Sequence, residues 1–220
     1  MNSTKMLPHR LLPECSGGEA PCPYHDEVLR LRELVRIDSL TRLYNTGHFR
    51  EALAQEMERT ERTLLPTALI MLDLDFFKKV NDQYGHEAGN AVLIQSAKVV
   101  RDTTRKLDIQ CRYGGEEFAI ILPSTERFLA IQVAQRLCAN IAAAPVVFQD
   151  KSIVVTASLG VAFYEVGSQL DVSGFISQAD KCLYEAKNNG RNQVRFVPAP
   201  KVEATVSSEE KAALKGLFDS

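Results

Sequence analysis

The residues with the most chemical potential in this chain are four carboxylates in two short runs: Asp73 and Asp75 within Met71-Leu-Asp-Leu-Asp75, and Glu116 and Glu117 within Gly114-Gly-Glu-Glu-Phe118. Asp73 and Asp75 stand two residues apart at the end of an apolar run, so in a strand both side chains would point to one face. That face should otherwise be core, and an ionised carboxylate is unfavourable there unless it is paired, hydrogen-bonded or bound to a metal. Few histidines or cysteines stand near either run, and an all-oxygen ligand set suits Mg2+ or Mn2+. Such ions bridge nucleotide phosphates and stabilise the charge that develops during phosphoryl transfer. The competing explanation for Asp73 and Asp75 is structural, since aspartate is favoured at a helix start, where it caps free backbone N–H groups. It leaves Gly-Gly-Glu-Glu unexplained.

The elements that must position these groups follow from hydropathy periodicity. Thr67 to Asp75 is short, nearly all apolar and preceded by Pro66, which predicts a mostly buried strand. Ile109 to Tyr113 and Phe118 to Leu122 predict two further strands, and the few residues between them predict a tight hairpin. If that hairpin packs beside the first strand, carboxylates from two places in the chain converge at one sheet end. Helices are predicted over Asp26 to Ile37, Thr46 to Arg62, a short piece from Phe76, His86 to Arg105, Thr125 to Ala144 and Asp171 to Asn189. The last ends at Gly190, a natural residue just past a helix C-terminus. Val146 to Phe148, Ile153 to Phe163 and Gln193 to Val197 are β-rich, with a polar turn at Gln149-Asp150-Lys151. The alternation predicts an α+β fold with a central, mostly antiparallel sheet flanked by helices, rather than a doubly wound parallel sheet.

Composition narrows the function class. The chain has 220 residues, 45% hydrophobic and 25% charged, with a formal net charge of -2. It lacks the basic surplus of a general nucleic-acid binder, so no nucleic-acid partner is expected. Met1 to Leu12 carries Lys5 and Arg10 without a sustained apolar run, so no signal peptide is expected. The longest apolar stretch, Ala68 to Leu72, is too short to span a bilayer, so no membrane partner is expected. The five cysteines are odd in number and scattered, which argues against a disulfide framework and for a reducing, cytoplasmic setting. The expected organisation is an irregular arm over 1–25, a helix over 26–37, one catalytic domain over 38–197, and over 198–220 a linker with a short capped helix near Ser208 to Phe218.

Arg112-Tyr-Gly-Gly-Glu-Glu-Phe118 resembles the signature of the GGDEF family of diguanylate cyclases, in its Gly-Gly-Glu-Glu-Phe form. The resemblance continues in order over roughly residues 36–197. Asp38-Ser-Leu-Thr-Arg-Leu-Tyr-Asn45 with Phe49 resembles the motif that opens the domain. Asp73-Leu-Asp75-Phe-Phe-Lys78-Lys-Val-Asn81-Asp82, with Gly85-His86 and Gly89, is similar to the nucleotide-binding segment. Ala179-Asp180, Leu183-Tyr184, Ala186-Lys187 and Gly190-Arg191-Asn192 resemble the closing motif. The resemblance implies a nucleotidyl-cyclase, palm-like domain that condenses two GTP into cyclic di-GMP. The 3′-hydroxyl of one GTP would attack the α-phosphate of the other, twice, releasing pyrophosphate. Each domain would hold one GTP, so a homodimer is implied.

Residue roles follow from the resemblance position by position. Asp73, Glu116 and the backbone carbonyl of Leu74 would hold metal, with two Mg2+ or Mn2+ per active site. Glu117 would assist the second metal or deprotonate the attacking hydroxyl. Lys78, Lys187 and Arg191 would bind phosphates, joined by backbone amides near Phe76 and Phe77 at a helix start, where anions are favoured. Taken alone, Lys187 and Arg191 would equally be read as last-turn cations that favour the helix dipole. Asn81 would read the guanine edge. Gly114 and Gly115 lack Cβ atoms, which permits the turn and a close backbone approach to the nucleotide. The family's guanine site usually has an aspartate after Gly-His-x-x-Gly, where this chain has Asn90. A carboxylate accepts both of guanine's N–H donors, whereas an amide brings one acceptor and one unwanted donor. Mixed cyclic GMP-AMP synthesis is therefore an alternative activity, and a catalytically silent receptor for GTP or cyclic di-GMP is another.

Arg105-Lys-Leu-Asp108 ends six residues before Gly114 and resembles the family's Arg-x-x-Asp product-inhibition motif. Arginine can bridge phosphate or stack on guanine, and aspartate can accept guanine's donors. Arg136 on the next helix is a candidate second contact, and a plain helix-terminal ion pair is the alternative. In the arm, His9, Cys15, Cys22 and His25 could form a zinc site, or be unpaired polar residues. The 26–37 helix fits a dimer stalk or packing on its own domain.

Overall fold

A computed structural model of the chain describes Leu31 and residues 36 to 199. The expected arm over 1–25 with its candidate zinc ligands, most of the 26–37 helix, and the tail from residue 200 lie outside the described residues. The described elements run α1 (Thr46–Thr63), β1 (Thr67–Leu74), α2 (Phe77–Tyr84), α3 (His86–Thr103), β2 (Ile109–Arg112), β3 (Glu117–Leu122), α4 (Arg127–Ala142), β4 (Val146–Phe148), β5 (Lys151–Ile153), β6 (Ala157–Tyr164), α5 (Val172–Asn188) and β7 (Val194–Phe196).

One five-stranded sheet carries the fold in the order β2-β3-β1-β6-β7, and β4-β5 form a separate hairpin. Within the five-stranded sheet β1 pairs antiparallel with β3 and β6, β2 antiparallel with β3, and only β6 and β7 are parallel. The expected α+β architecture with a mostly antiparallel central sheet is the one found. β1 reads as an unbroken apolar run because both its faces are covered. Ile70 and Leu72 join Val92, Val100 and Leu137 of α3 and α4 in one core. Leu69 and Met71 join Phe49, Leu53, Phe175 and Leu183 of α1 and α5 in the other. Asp73 continues the odd-numbered series, so strand alternation alone places it on the face covered by α5.

Two local features bring α5 into position. Gly160 of β6 lies so close beneath it that a Cβ there would overlap the backbone at Ala179 and Leu183. The helix starts at Asp171, whose side chain accepts from the Gly174 N–H at 2.7 Å, and Gly190 follows its end with φ 109°. The β-rich stretch Ile153 to Phe163 is shared by two strands: Ile153 closes β5, the chain passes through Val154 to Thr156, and β6 begins at Ala157. The Asp75 N–H donates to the Thr156 carbonyl at 2.8 Å and the Thr156 hydroxyl donates to the Asp75 carboxylate at 2.7 Å. A long-range anchor therefore holds the junction between β5 and β6.

Candidate active site

The register of β1 against β3 sets Asp73 opposite Glu117, so the hairpin carboxylates do arrive beside the first strand. The Leu74 N–H donates to the Glu116 carbonyl at 3.3 Å, which continues the pairing to the strand end. The hairpin tip is held from both sides. The N–H groups of Tyr113 and Gly114 donate to the Glu117 carbonyl at 2.8 and 3.2 Å. Arg112 donates to the Gly115 carbonyl at 2.8 Å and pairs with Asp38 at 3.3 Å. Burial pushes the Asp38 carboxyl up, but bonds from Thr41 and the Arg112 guanidinium outweigh it and hold the group below its ordinary value.

The two glycines of the tip differ in what surrounds them. Neither Gly114 nor Gly115 has positive φ, so the turn itself does not demand glycine. A Cβ on Gly114 would overlap the Glu117 carboxylate, so Gly114 is the space that carboxylate occupies. A Cβ on Gly115 would meet nothing in the chain, which leaves that side of the tip open to a ligand.

Charge is concentrated around one ammonium. Lys187 Nζ on α5 lies 2.8 Å from Asp73 Oδ2, with the two side chains 32% and 8% exposed. Burial pushes Asp73 above the ordinary carboxylate value despite Lys187. Burial and the negative charge of Asp73 push Glu116 and Glu117 up as well, and Lys187 opposes both shifts. Asp180, two turns before Lys187 on α5, is also raised by partial burial and opposed by Lys187, and its charge acts on Glu117. Asp180 stood within a quoted motif without a role; its spacing of seven residues from Lys187 is the signal that puts both on one helix face. Among the described residues, no three His, Cys, Asp or Glu side chains are already gathered to hold a metal ion. The donor set nonetheless fits one: Asp73, Glu116 and Glu117 supply oxygen only and repel one another, and the charge that relieves them is a lysine.

Asp75 belongs to a separate constellation. It is 4% exposed and accepts from Thr156 Oγ1 at 2.7 Å, Ser158 Oγ at 2.7 Å and the Asn192 N–H at 3.0 Å. Neither aspartate caps α2, whose N-cap is Phe76 with no side-chain hydrogen bond. The helix-cap explanation is thereby corrected: Asp73 faces Lys187 and Asp75 fastens the turn that carries Arg191. That turn is left-handed, with φ 61° at Arg191 and 45° at Asn192.

Phe76 is itself left-handed, with φ 56°, and its half-exposed ring lies 4.6 Å from the Arg191 guanidinium and 4.4 Å from Lys79 Nζ. Phe77 is buried at the start of α2 and Lys78 is exposed on its first turn. The first N–H groups of a helix have no intrahelical partner, so this turn offers donors beside two cations. Asn81 lies against Gly89, where a Cβ would overlap its carboxamide, and exposed Asn90 follows directly. The structure thus brings Asp73, Glu116, Glu117 and Lys187 together, and sets Arg191 against Phe76 and Asn81 against Gly89.

The second candidate site lies at the far end of β2. The Arg105 N–H donates to Asp108 at 2.8 Å, and its guanidinium donates to Asp108 at 3.2 Å and Thr125 at 2.7 Å. Arg136 donates to the Thr103 carbonyl at 2.6 Å. Here Arg105 and Asp108 form the local ion pair that was the plainer alternative, with Arg136 in the same corner. No helix among the described residues is long and apolar enough to cross a membrane.

Comparison with known proteins agrees with this geometry. A family model described as "Diguanylate cyclase, GGDEF domain" matches residues 35–193. Diguanylate cyclase A of Treponema denticola is 42% identical over 127 residues, 58% of this chain and 34% of that protein. Among solved structures, diguanylate cyclase SiaD of Pseudomonas aeruginosa, in complex with its activator SiaC, matches with TM-score 0.72 and 37% identity over 78% of this chain and 65% of that one. The coiled coil and GGDEF domain of DgcB from Caulobacter crescentus, in complex with c-di-GMP, matches with TM-score 0.73 and 26% identity over 78% of this chain and 91% of that one. The chain spans about a third or less of the curated relatives it matches. It belongs to the GGDEF diguanylate cyclase domain family.

Proposed function

We propose that this GGDEF-family chain is a diguanylate cyclase, acting as a cytoplasmic homodimer that joins two GTP into cyclic di-GMP and releases two pyrophosphates. The observation that carries the reading is the meeting of Asp73 and Glu117 across the β1–β3 register, beneath the Lys187 ammonium. Asp73, Glu116 and the Leu74 carbonyl would hold Mg2+ or Mn2+, with Glu117 toward a second ion. When bound, these ions neutralise the triphosphate and the charge that develops at the α-phosphorus. Lys78, Lys187, Arg191 and the N–H groups at the start of α2 grip the phosphates. Asn81 accepts from the guanine edge in the slot that Gly89 leaves open, with Asn90 beside it. Glu117 takes the proton of the attacking 3′-hydroxyl, a task suited to a carboxylate held above its ordinary value.

One such site binds one GTP, so two domains must face each other, and the segment 26–37, expected from its periodicity to be helical, is the proposed stalk. The presence of a coiled coil in the DgcB structure supports that assignment. The c-di-GMP in the same structure supports a product site, proposed at Arg105, Asp108 and Arg136. For product to bind there, Arg105 must exchange its bonds to Asp108 and Thr125 for the ligand's phosphate or base. Incubating the protein with GTP and Mg2+, in parallel with ATP and with an equimolar mixture, and resolving the nucleotides tests the reading. Cyclic di-GMP and pyrophosphate from GTP alone are expected. A dimeric preparation that binds GTP but forms no dinucleotide would replace the enzyme with a receptor, and a mixed dinucleotide would trace to Asn90.

A further inference from the structure

We infer that Lys187 fills the cation position of this site before nucleotide arrives, so that a divalent ion enters together with the triphosphate and not ahead of it. The inference rests on the proposed reading of the site as metal- and GTP-binding, and concerns the order in which its groups change partners. Lys187 is the one ammonium within ion-pair distance of Asp73 among the described residues, at 2.8 Å, and its charge also acts on Glu116, Glu117 and Asp180. The three proposed ligand carboxylates are accordingly not gathered as a cage. Arg191, the other phosphate cation for which a partner is described, rests on the Phe76 ring instead of on a carboxylate. Of the two, Lys187 is the one in an ion pair with a proposed ligand carboxylate, while the Arg191 charge acts on Asp73 without such a pair.

A divalent ion arriving alone must take Asp73 from the ammonium and then sit beside it, so attraction to the carboxylates is offset by repulsion from Lys187. A triphosphate removes that repulsion by giving the ammonium an oxyanion to bind. Ion and nucleotide then each strengthen the other's binding by the same factor, as linkage requires, and couplings of this kind are typically about 5- to 150-fold. Lys187 in this account is a gate on metal entry as well as a phosphate contact.

The test measures free Mn2+ by electron paramagnetic resonance in titrations of the full chain, with and without a non-hydrolysable GTP analogue, after subtracting Mn2+ bound by the analogue in buffer. Wild-type protein should bind Mn2+ weakly alone and about tenfold or more tightly with the analogue. Lys187→Met should bind Mn2+ alone about tenfold more tightly than wild type, with the analogue adding little. Lys187→Arg should retain the weak wild-type affinity for Mn2+ alone, because its charge is kept. Equal Mn2+ affinity for wild type and a folded Lys187→Met, in the absence of analogue, overturns the inference while leaving the site reading intact. Failure of the site reading looks different: no analogue-dependent Mn2+ binding in wild type, and no change on Asp73→Asn.

Discussion

Removing the Asp75 carboxylate should loosen the phosphate side of the site without touching the reacting atoms. Asp75 is 4% exposed and receives three hydrogen bonds, two from hydroxyls at 2.7 Å and one from the Asn192 N–H at 3.0 Å. Hydrogen bonds to a charged group contribute about 1.5–3 kcal/mol each, and donors left buried without a partner add to the loss. The hydroxyls of Thr156 and Ser158 can rotate toward other acceptors, whereas the Asn192 N–H is fixed in its left-handed turn. Asp75→Ala should therefore destabilise the domain by about 3–4 kcal/mol, well short of three full bonds. Asp75→Asn keeps the shape and one acceptor but presents an amine to a donor, and should fall about midway. Because Asn192 is next to Arg191, either variant should raise KM for GTP by more than it lowers kcat. Urea unfolding gives the first quantity and initial rates against GTP give the second. Destabilisation of Asp75→Ala by less than about 1 kcal/mol would refute the anchoring account. A fall in kcat at unchanged KM would refute the positioning role and place Asp75 among the reacting groups.

Glu117→Gln keeps the volume that fills the Gly114 space but removes the base, and should lower turnover by about 10²- to 10⁴-fold with analogue binding retained; turnover near wild type would remove Glu117 from the chemistry. Arg105→Ala should raise the cyclic di-GMP concentration needed for half-inhibition by about tenfold or more, in keeping with loss of a charged contact to phosphate; an unchanged inhibition curve would return Arg105 to a purely local ion pair. Burial first, then a neighbouring negative charge (Asp75 for Asp73, Asp73 for the two glutamates), holds Asp73, Glu116 and Glu117 above the ordinary carboxylate value. The folded state thus takes their protons more readily than the unfolded one, and the stability they contribute at low pH is lost as pH rises through their folded values. Asp38, held low, acts oppositely: its contribution is present above the ordinary value and lost as pH falls through its folded value. In EDTA, thermal melting should therefore gain on acidification toward the ordinary carboxylate range in wild type relative to a variant carrying Asp73→Asn, Glu116→Gln and Glu117→Gln. A pH-independent difference would show that burial and neighbouring charge do not hold these carboxylates above their ordinary value.

The sheet and its carboxylate end were legible because their signals are local. An apolar run after Pro66, two strands flanking Gly-Gly-Glu-Glu and an amphipathic α5 each mark themselves within about ten to twenty residues. The break between β5 and β6 was not legible, because Val154, Val155 and Thr156 are themselves β-prone and Thr156 is held by Asp75, some eighty residues earlier in the chain. For the same reason, the sequence offered Asp73 and Asp75 as a pair with one fate. Their separation into a member facing Lys187 and a member fastening Asn192 depends on partners 114 and 117 residues away.

The motif positions divide by what they serve, and the division is physical. Asp73, Glu117, Lys187 and Arg191 are the charges proposed to act on the ligand. Gly114 serves Glu117, Gly89 serves Asn81, and Gly160 serves the close approach of α5, each by omitting a Cβ that would overlap its neighbour. Asp75 serves Arg191 through Asn192, and Asp38 serves the hairpin tip through Arg112. A substitution in the first group should alter chemistry or binding in a folded domain, whereas one in the second should alter stability and geometry first and activity as a consequence. Lys187 alone crosses the division. It is paired with a carboxylate in the structure and proposed to leave it for a phosphate, so its replacement should both free the metal position and weaken the grip on nucleotide. Opposite effects on two ligands from one side chain follow from its charge, which repels a cation and attracts an anion at the same place.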